Sequence, residues 1–212
     1  MTATRGYDSV DLDTFSEDSR YKFLTGSVVP RPIALVTTLS ETGVLNAAPF
    51  SQFVIISVTP PLLGIVAHDA TERQVFAAAP GAYKDTVRNI LANEEFVINS
   101  VSESMALQVQ ECAHPFPPDV SEVDTVGFHT LPSDLVKPSR IAESQIQFEC
   151  RLHRTVPFGD DHSKTTLVVG EVVRVHCAEG VLDGHRVIHD ALRPLGRIAG
   201  RNYCRTADIV SV

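Results

Sequence analysis

Features that identify several common classes of protein are missing from this sequence of 212 residues. Its 26 aspartates and glutamates outnumber its 18 lysines and arginines, and the formal net charge of −8 argues against the basic face that nucleic-acid-binding proteins need. No apolar run approaches the roughly 20 residues that span a bilayer, and the first residues contain no apolar segment typical of a secretory signal. We therefore expect a cytoplasmic protein that binds neither nucleic acid nor membrane.

Motifs for metals, disulfides and dinucleotides are missing as well. The four cysteines are widely spaced and form no CxxC pair, which predicts reduced thiols. His185 and His189 stand four residues apart, but no glutamate or cysteine lies at the spacing that a metal site would need. We therefore predict no metal site. Because there is no GxGxxG motif, we also predict no separate dinucleotide-binding domain, and the sequence contains neither a Walker loop nor a catalytic triad.

The sequence does contain a series of short apolar runs separated by turn residues. They follow one another through short connections more often than through helices, which favours an antiparallel barrel over a doubly wound sheet. Residues 21–212 are predicted to form one domain, preceded by a polar, acidic lead-in at 1–20. The predicted strands are 33–39, 53–58, 62–67, 95–101, 145–156 and 165–177, and the two predicted helices begin near Lys84 and near Ser102 or Ser104.

Two segments carry the residues best suited to bind a ligand. Residues 29–51 predict a hairpin whose second arm is broken at Asn46–Ser51, where small side chains would let a ligand approach the backbone. An ordinary transition from strand to loop explains the same residues. Lys84-Asp85-Thr86 opens a helix, and a helix N-terminus with a lysine and a hydroxyl suits an anion such as a phosphate. A capped surface helix with a solvated lysine is the alternative.

Several longer segments resemble, in order, the flavin reductase-like, FMN-binding split-barrel family. The resemblance covers residues 21–206, and it is nearest to the branch with nitrilotriacetate monooxygenase component B and flavoredoxin. It implies a mainly β fold, an antiparallel split barrel of Greek-key type with a few helices. The segments that carry it are VPRPIALVTT, NAAPFSQF, VTPPLLGI, YKDTVRNI, EFVINSV, RIAESQIQFECRL, LVVGEVVRVH and LRPLGRIAGRNYCRT.

The resemblance also implies a set of residues that bind the cofactor FMN. It places the phosphate at the KDT segment and the flavin along the NAAPFS segment, including backbone amides around Ala47 and Ala48. The family also places a similar glycine-rich C-terminal loop near the flavin or the subunit boundary. From the residues themselves we add the hydroxyls of the partner strand and a guanidinium that the stiff Pro-Arg-Pro backbone could aim at the flavin. The predicted residues are Arg31, Thr37, Thr38, Asn46, Ala47, Ala48, Ser51, Lys84, Asp85, Thr86 and Arg197. Arg31 as an ordinary surface arginine, and the threonines as ordinary strand formers, remain the alternatives.

The function implied by the resemblance is that of a flavin reductase. Hydride would pass from NADH or NADPH to flavin, and reduced flavin would serve a partner such as a flavin-dependent monooxygenase. The flavin itself carries this chemistry, so no catalytic residue is assigned, and His68 is the one histidine whose position near the flavin calls for a test. The family also implies a homodimer with flavin near the subunit boundary. The alternatives are a flavoredoxin-like electron carrier without direct nicotinamide turnover, and a split-barrel oxidase or a barrel for another cofactor such as haem.

Overall fold

The computed structural model describes residues 6–68, 83–159 and 164–210. The predicted loop or broken helix at 69–83 and the predicted connection at 159–162 lie largely outside the described residues. In the described ranges the helices are α1 Glu17–Ser27, α2 Asp85–Asn93, α3 Ala106–Glu111, α4 Glu122–Val126 and α5 His189–Leu192, with single 3₁₀ turns at Leu12–Thr14 and Glu103–Met105. The strands are β1 Arg31–Pro32, β2 Ala34–Leu39, β3 Leu45–Phe50, β4 Phe53–Val58, β5 Pro61–His68, β6 Glu95–Ser100, β7 Thr130–Leu131, β8 Arg140–Ile141, β9 Ile146–Gly159, β10 Lys164–Cys177, β11 Leu182–Asp183, β12 Arg186–Val187, β13 Leu195–Arg197 and β14 Tyr203–Arg205.

Seven of these strands form one antiparallel sheet in the order β3-β2-β6-β9-β10-β5-β4. All six strands predicted from apolar patterning belong to it, and the mainly β, antiparallel prediction is confirmed. Arg31 and Arg197 pair in a second, three-stranded sheet, β1-β13-β14, so the start of the hairpin and the C-terminal loop meet.

The β2 strand is buried on both faces, which explains its uninterrupted aliphatic sequence. On one face Ala34 and Val36 join a core that includes Phe96 and Ile65 and is covered by α2. On the other face Leu35 joins a second core with residues of α3 and α4. The strand that pairs with the candidate ligand segment is therefore held from both sides.

Two local predictions are wrong. The Leu-Thr-Gly-Ser sequence at residues 24–27 predicts a turn before the hairpin, but these residues form the last part of α1. There the Thr25 and Ser27 hydroxyls donate to carbonyls one turn earlier. The second arm of the hairpin does not break at Asn46 but continues as β3 to Phe50. Pro49 is tolerated because β3 lies at the edge of the sheet, where a missing N–H faces away from the ladder.

Candidate functional site

The β3 strand presents its outer edge to α4. The Ala47 amide donates to Oε2 of Glu122 at 3.1 Å, so it points away from β2. Ala47 lies opposite Thr37 and Ala48 opposite Val36, and in an antiparallel pair bonded and non-bonded positions alternate. The Ala48 amide therefore faces β2. Both amides that the family resemblance assigns to flavin have protein partners in this structure.

The Asn46 side chain joins β3 to the first turn of α2. Its amide lies 3.1 Å from Oγ1 of Thr86, and both residues are buried. One strand over, the Thr38 hydroxyl accepts a hydrogen bond from Nδ2 of Asn89 at 3.1 Å. Thr38 and Asn46 are register partners, so two polar pairs fix α2 across the β2–β3 edge. The structure thus brings together Asn46, Thr38 and Thr86, which the sequence places far apart.

The N-terminus of α2 has the features of an anion site. Lys84 is its N-cap residue, in extended conformation, and makes no side-chain cap to the first-turn amides. The free amides of a helix N-terminus and the positive end of its dipole attract negative charge. The negative charge of Asp85 weakens this attraction only in part, because Asp85 forms an ion pair with Arg88. Lys84, Asp85 and Thr86 therefore lie where the sequence placed them.

Arg31 and Ser51 form a second group at the other end of β3. Nε of Arg31 donates to Oγ of Ser51 at 3.3 Å, and Nη1 donates to the Val28 carbonyl at 3.2 Å and to the Thr25 carbonyl. Burial lowers the pKa of Arg31, and the charge of Arg197 adds to this. The surface-arginine alternative is wrong, since only 8% of Arg31 is exposed. Its guanidinium binds the C-terminal carbonyls of α1.

Arg197 and Thr37 are held by other partners. The Arg197 guanidinium lies 4.5 Å from the centre of the Tyr203 ring and donates to Oε1 of Gln110 at 3.1 Å. The Thr37 hydroxyl donates to the Ser139 carbonyl at 2.7 Å, on the opposite face of β2 from Thr38. Neither residue approaches the first turn of α2 through these contacts.

His68 lies beside the second group. Nε2 is 2.9 Å from Oε1 of Gln52, and Nδ1 is 3.0 Å from the Thr165 hydroxyl. The Tyr21 ring packs edge-on at 5.7 Å. Burial lowers the pKa of His68, the charge of Lys84 lowers it further, and Glu17 opposes both. A neutral ring that carries its proton on Nε2 satisfies both hydrogen bonds.

Glu122 is the residue that sequence reasoning missed. It stands in the first turn of a short helix after Ser121, a pattern typical of an exposed cap. Instead it is only 7% exposed, and its carboxyl meets Ala47 and Asn46. Burial raises its pKa to about 7; hydrogen bonds from backbone amides oppose this shift, and the charge of Asp85 adds to it. No sequence signal identifies this burial, because it depends on where α4 packs.

One cluster in the described part of the chain has the composition of a metal site: Asp134, Glu149 and His176. The buried Glu149 carboxylate accepts from the Asp134 amide at 2.7 Å, the Leu135 amide at 2.6 Å and Nε2 of His176 at 2.6 Å. These bonds fasten the loop at Asp134 to β9, and they occupy three of the roughly four lone-pair sites of the carboxylate. We therefore describe the cluster as structural.

No helix in the described ranges is long and apolar enough to cross a membrane.

Comparisons with known proteins agree with this architecture. An uncharacterized protein of Bacillus subtilis is 38% identical over 92% of this chain and 93% of its own. The crystal structure of nitrilotriacetate monooxygenase component B from Bacillus cereus is 33% identical, covers 99% of this chain and 100% of its own, and superposes with a TM-score of 0.91. The 2-nitrobenzoate 2-nitroreductase of Pseudomonas fluorescens is 35% identical over 97% of this chain and 95% of its own, with a TM-score of 0.84. The flavin reductase like domain matches residues 25–198, and the chain belongs to that family.

Proposed function

We propose that this protein is a flavin reductase that binds FMN and transfers hydride from NADH or NADPH to flavin. The observation that supports it most is the joining of α2 to β3 through Thr86 and Asn46. It lies beside a helix N-terminus at which the N-cap residue makes no side-chain cap. A phosphate fits this donor set, which offers first-turn amides and the Lys84 charge. The buried Thr86 hydroxyl bonds to Asn46 and holds that turn in place. When bound, the flavin supplies the hydride chemistry, and the protein supplies position and polarity.

The two polar groups at the ends of β3 suit a ligand with an anionic end and a planar end. Asn46 and Ser51 are five residues apart, or about 17 Å along a strand. The phosphate end belongs at the first turn of α2, and the ring end belongs toward Ser51. Those predicted FMN contacts that have protein partners hold the strands and loops of the site. The remaining contacts stay predictions, namely Thr37, Thr38, Ala47, Ala48, Asp85, Arg31 and Arg197.

We also propose a homodimer and a partner that consumes reduced flavin. The α1 helix has no buried residue, although Tyr21 and Leu24 are apolar and about half exposed. The β4 strand is a sheet edge in which Ile55 is 70% and Val58 83% exposed. Apolar edges of this kind are normally covered, and a second copy would cover them. The similarity to a monooxygenase component B supports a monooxygenase as the acceptor of reduced flavin.

A second candidate function is direct reduction of a nitroaromatic compound. It is favoured by the 35% identity to a 2-nitrobenzoate 2-nitroreductase over nearly the whole chain. Reduction of 2-nitrobenzoate by NADH or NADPH in the presence of FMN would support it. An electron carrier without nicotinamide turnover remains a third candidate, and it predicts no oxidation of either nucleotide.

Ligand binding by a Lys84→Ala variant tests the placement of the phosphate. FMN should bind about tenfold more weakly than to wild type, because a charged hydrogen bond contributes roughly 1.5 kcal/mol or more. Riboflavin, which lacks the phosphate, should bind equally to both proteins. The matched control is Lys137→Ala at an exposed lysine, which should change neither affinity. An equal loss for riboflavin and FMN would contradict the proposed phosphate site.

A further inference from the structure

Arg31 is the one cationic residue that is buried within the described ranges, and no carboxylate there pairs with it. The other buried charged residues, Glu122 and Glu149, accept hydrogen bonds from backbone amides. Arg31 donates only to uncharged groups, namely the Ser51 hydroxyl and two carbonyls at the C-terminal end of α1. The end of a helix carries roughly half of an elementary charge, so these carbonyls compensate only part of the guanidinium. A buried charge without an opposite charge is costly, and an anion bound at Arg31 would reduce that cost.

The Arg197 side chain brings a second positive charge to Arg31. The two residues are register partners in β13 and β1, and side chains opposite each other in such a pair lie on the same face of the sheet. Arg197 is partly buried and donates to Gln110 and to the Gly200 carbonyl, with its guanidinium over the Tyr203 ring. It too pairs with no carboxylate of the described residues. Two like charges repel, and an anion bound beside both would relieve that repulsion.

Each of the two guanidiniums keeps a nitrogen that no protein group uses. Nε and Nη1 of Arg31 make its hydrogen bonds, and Nη2 makes none with the described residues. Nη2 does not belong to the buried side-chain atoms that lack a partner, so it reaches solvent through the 8% of the residue that is exposed. Nε of Arg197 also makes no hydrogen bond with the described residues. The pair therefore offers both free N–H donors and uncompensated charge to an anionic group of a ligand.

We propose that Arg31 and Arg197 bind the diphosphate of the reduced nicotinamide nucleotide and so place its nicotinamide ring against the flavin. The inference rests on the proposed function, because it assumes that NADH or NADPH is the reductant. Guanidiniums match the oxygens of a phosphate, and the chain contains no GxGxxG loop to hold a diphosphate. Ser51, which accepts from Arg31, lies at the ring end of the proposed flavin site. Only one ribose separates the diphosphate from the nicotinamide, so a diphosphate beside Ser51 keeps the reacting ring close to the flavin.

The test is the bleaching of FMN-loaded wild type and Arg197→Gln by NADH. The NADH concentration that gives half of the maximal bleaching rate should rise about tenfold or more in the variant, because charged hydrogen bonds are lost. The maximal rate should stay unchanged, since an interaction made equally in the ground state and the transition state affects binding alone. Arg197→Lys keeps the charge and should recover part of the affinity. The matched control is Arg174→Gln, at an exposed arginine beside Asp134, which should behave as wild type does.

Competition on the wild type alone gives a second measurement, which holds even where the variant folds poorly. With FMN held at saturation, inorganic diphosphate should compete with NADH. It should not slow bleaching by 1-methyl-1,4-dihydronicotinamide, a hydride donor without phosphate, and this donor should bleach wild type and Arg197→Gln at equal rates.

The possible outcomes separate this inference from the proposed function. Unchanged NADH affinity in Arg197→Gln, or diphosphate that does not compete with NADH, overturns this inference alone. A variant that loses affinity for FMN and not for NADH would assign the two arginines to the FMN phosphate, and it would overturn the inference as well. A wild type that neither NADH nor NADPH bleaches overturns the proposed function and this inference with it.

Discussion

At the scale of the residue, His68 makes the stability of the protein depend on pH. Its folded pKa is lowered, first by burial, so between the folded value and the unfolded value near 6.5 the unfolded chain binds more protons. Its contribution is therefore complete above about pH 6.5 and is lost as the pH falls through the folded pKa. Glu122 acts with the opposite sign, because its pKa is raised to about 7. Comparison of wild type with a His68 variant therefore separates the contribution of His68 from that of Glu122.

We expect the melting temperature of wild type to exceed that of His68→Gln at pH 7.5, and this advantage to shrink at pH 5.5. Glutamine retains a polar group that reaches Gln52 or Thr165 but does not titrate. Differential scanning calorimetry at the two pH values measures the difference. His114→Gln, at a half-exposed histidine, should show no such change with pH. An advantage that is constant or larger at pH 5.5 would contradict a neutral, buried His68.

Single residues also show where sequence reasoning stops. The Lys84-Asp85-Thr86 start of α2 was predictable, because helix starts have local signals. Arg31 was expected to aim at a ligand, yet its burial and its bonds to the end of α1 come from residues that were predicted as a turn. Glu122 was not predictable, since its partner Ala47 lies 75 residues away in the sequence. Local pattern fixes the element, whereas tertiary packing decides which of its side chains are buried.

At the scale of the element, β4 and α1 present the apolar surface that we assign to a second copy. Replacing Ile55 and Val58 by glutamate should raise the dissociation constant of the dimer by on the order of a hundredfold or more, because each buried apolar side chain contributes about 1.5–3 kcal/mol. Analytical ultracentrifugation of the double variant should then show monomer where wild type is dimer.

The control is Leu107→Glu, a leucine that is 82% exposed on α3. This helix contacts β3, which stands at the other end of the sheet order from β4. The substitution should leave the dimer intact. A wild type that sediments as a monomer with bound FMN, or a double variant that remains dimeric, would exclude β4 as the interface.

The elements themselves were largely predictable, and their exceptions have physical reasons. The strands 33–39, 53–58, 62–67 and 95–101 were evident from β-branched runs bounded by turns, and the structure has them within a few residues. The β3 strand was predicted to break at Asn46, since a proline and polar residues suggest a loop. An edge strand accepts both, because its outer amides need no partner strand. Whether a strand is at an edge depends on the order of the whole sheet, which no local pattern contains.

At the scale of the whole molecule, seven antiparallel strands hold two polar groups at opposite ends of β3. One group lies at the start of α2 with Thr86 and Asn46, and the other lies at Ser51, Arg31 and His68. Only the folded sheet brings residues from between positions 31 and 122 to the two ends of this one strand. The family resemblance made this fold predictable, and the structure adds the partners that hold each group in place.

Anaerobic mixing of the FMN-loaded protein with NADH, and separately with NADPH, tests the central claim most directly. Reduction removes the visible absorption of flavin, and a reductase should bleach within seconds with at least one of the two nucleotides. The same protein should regain its absorption when air is admitted. A flavin spectrum that persists with both nucleotides would contradict the reductase and favour the electron carrier.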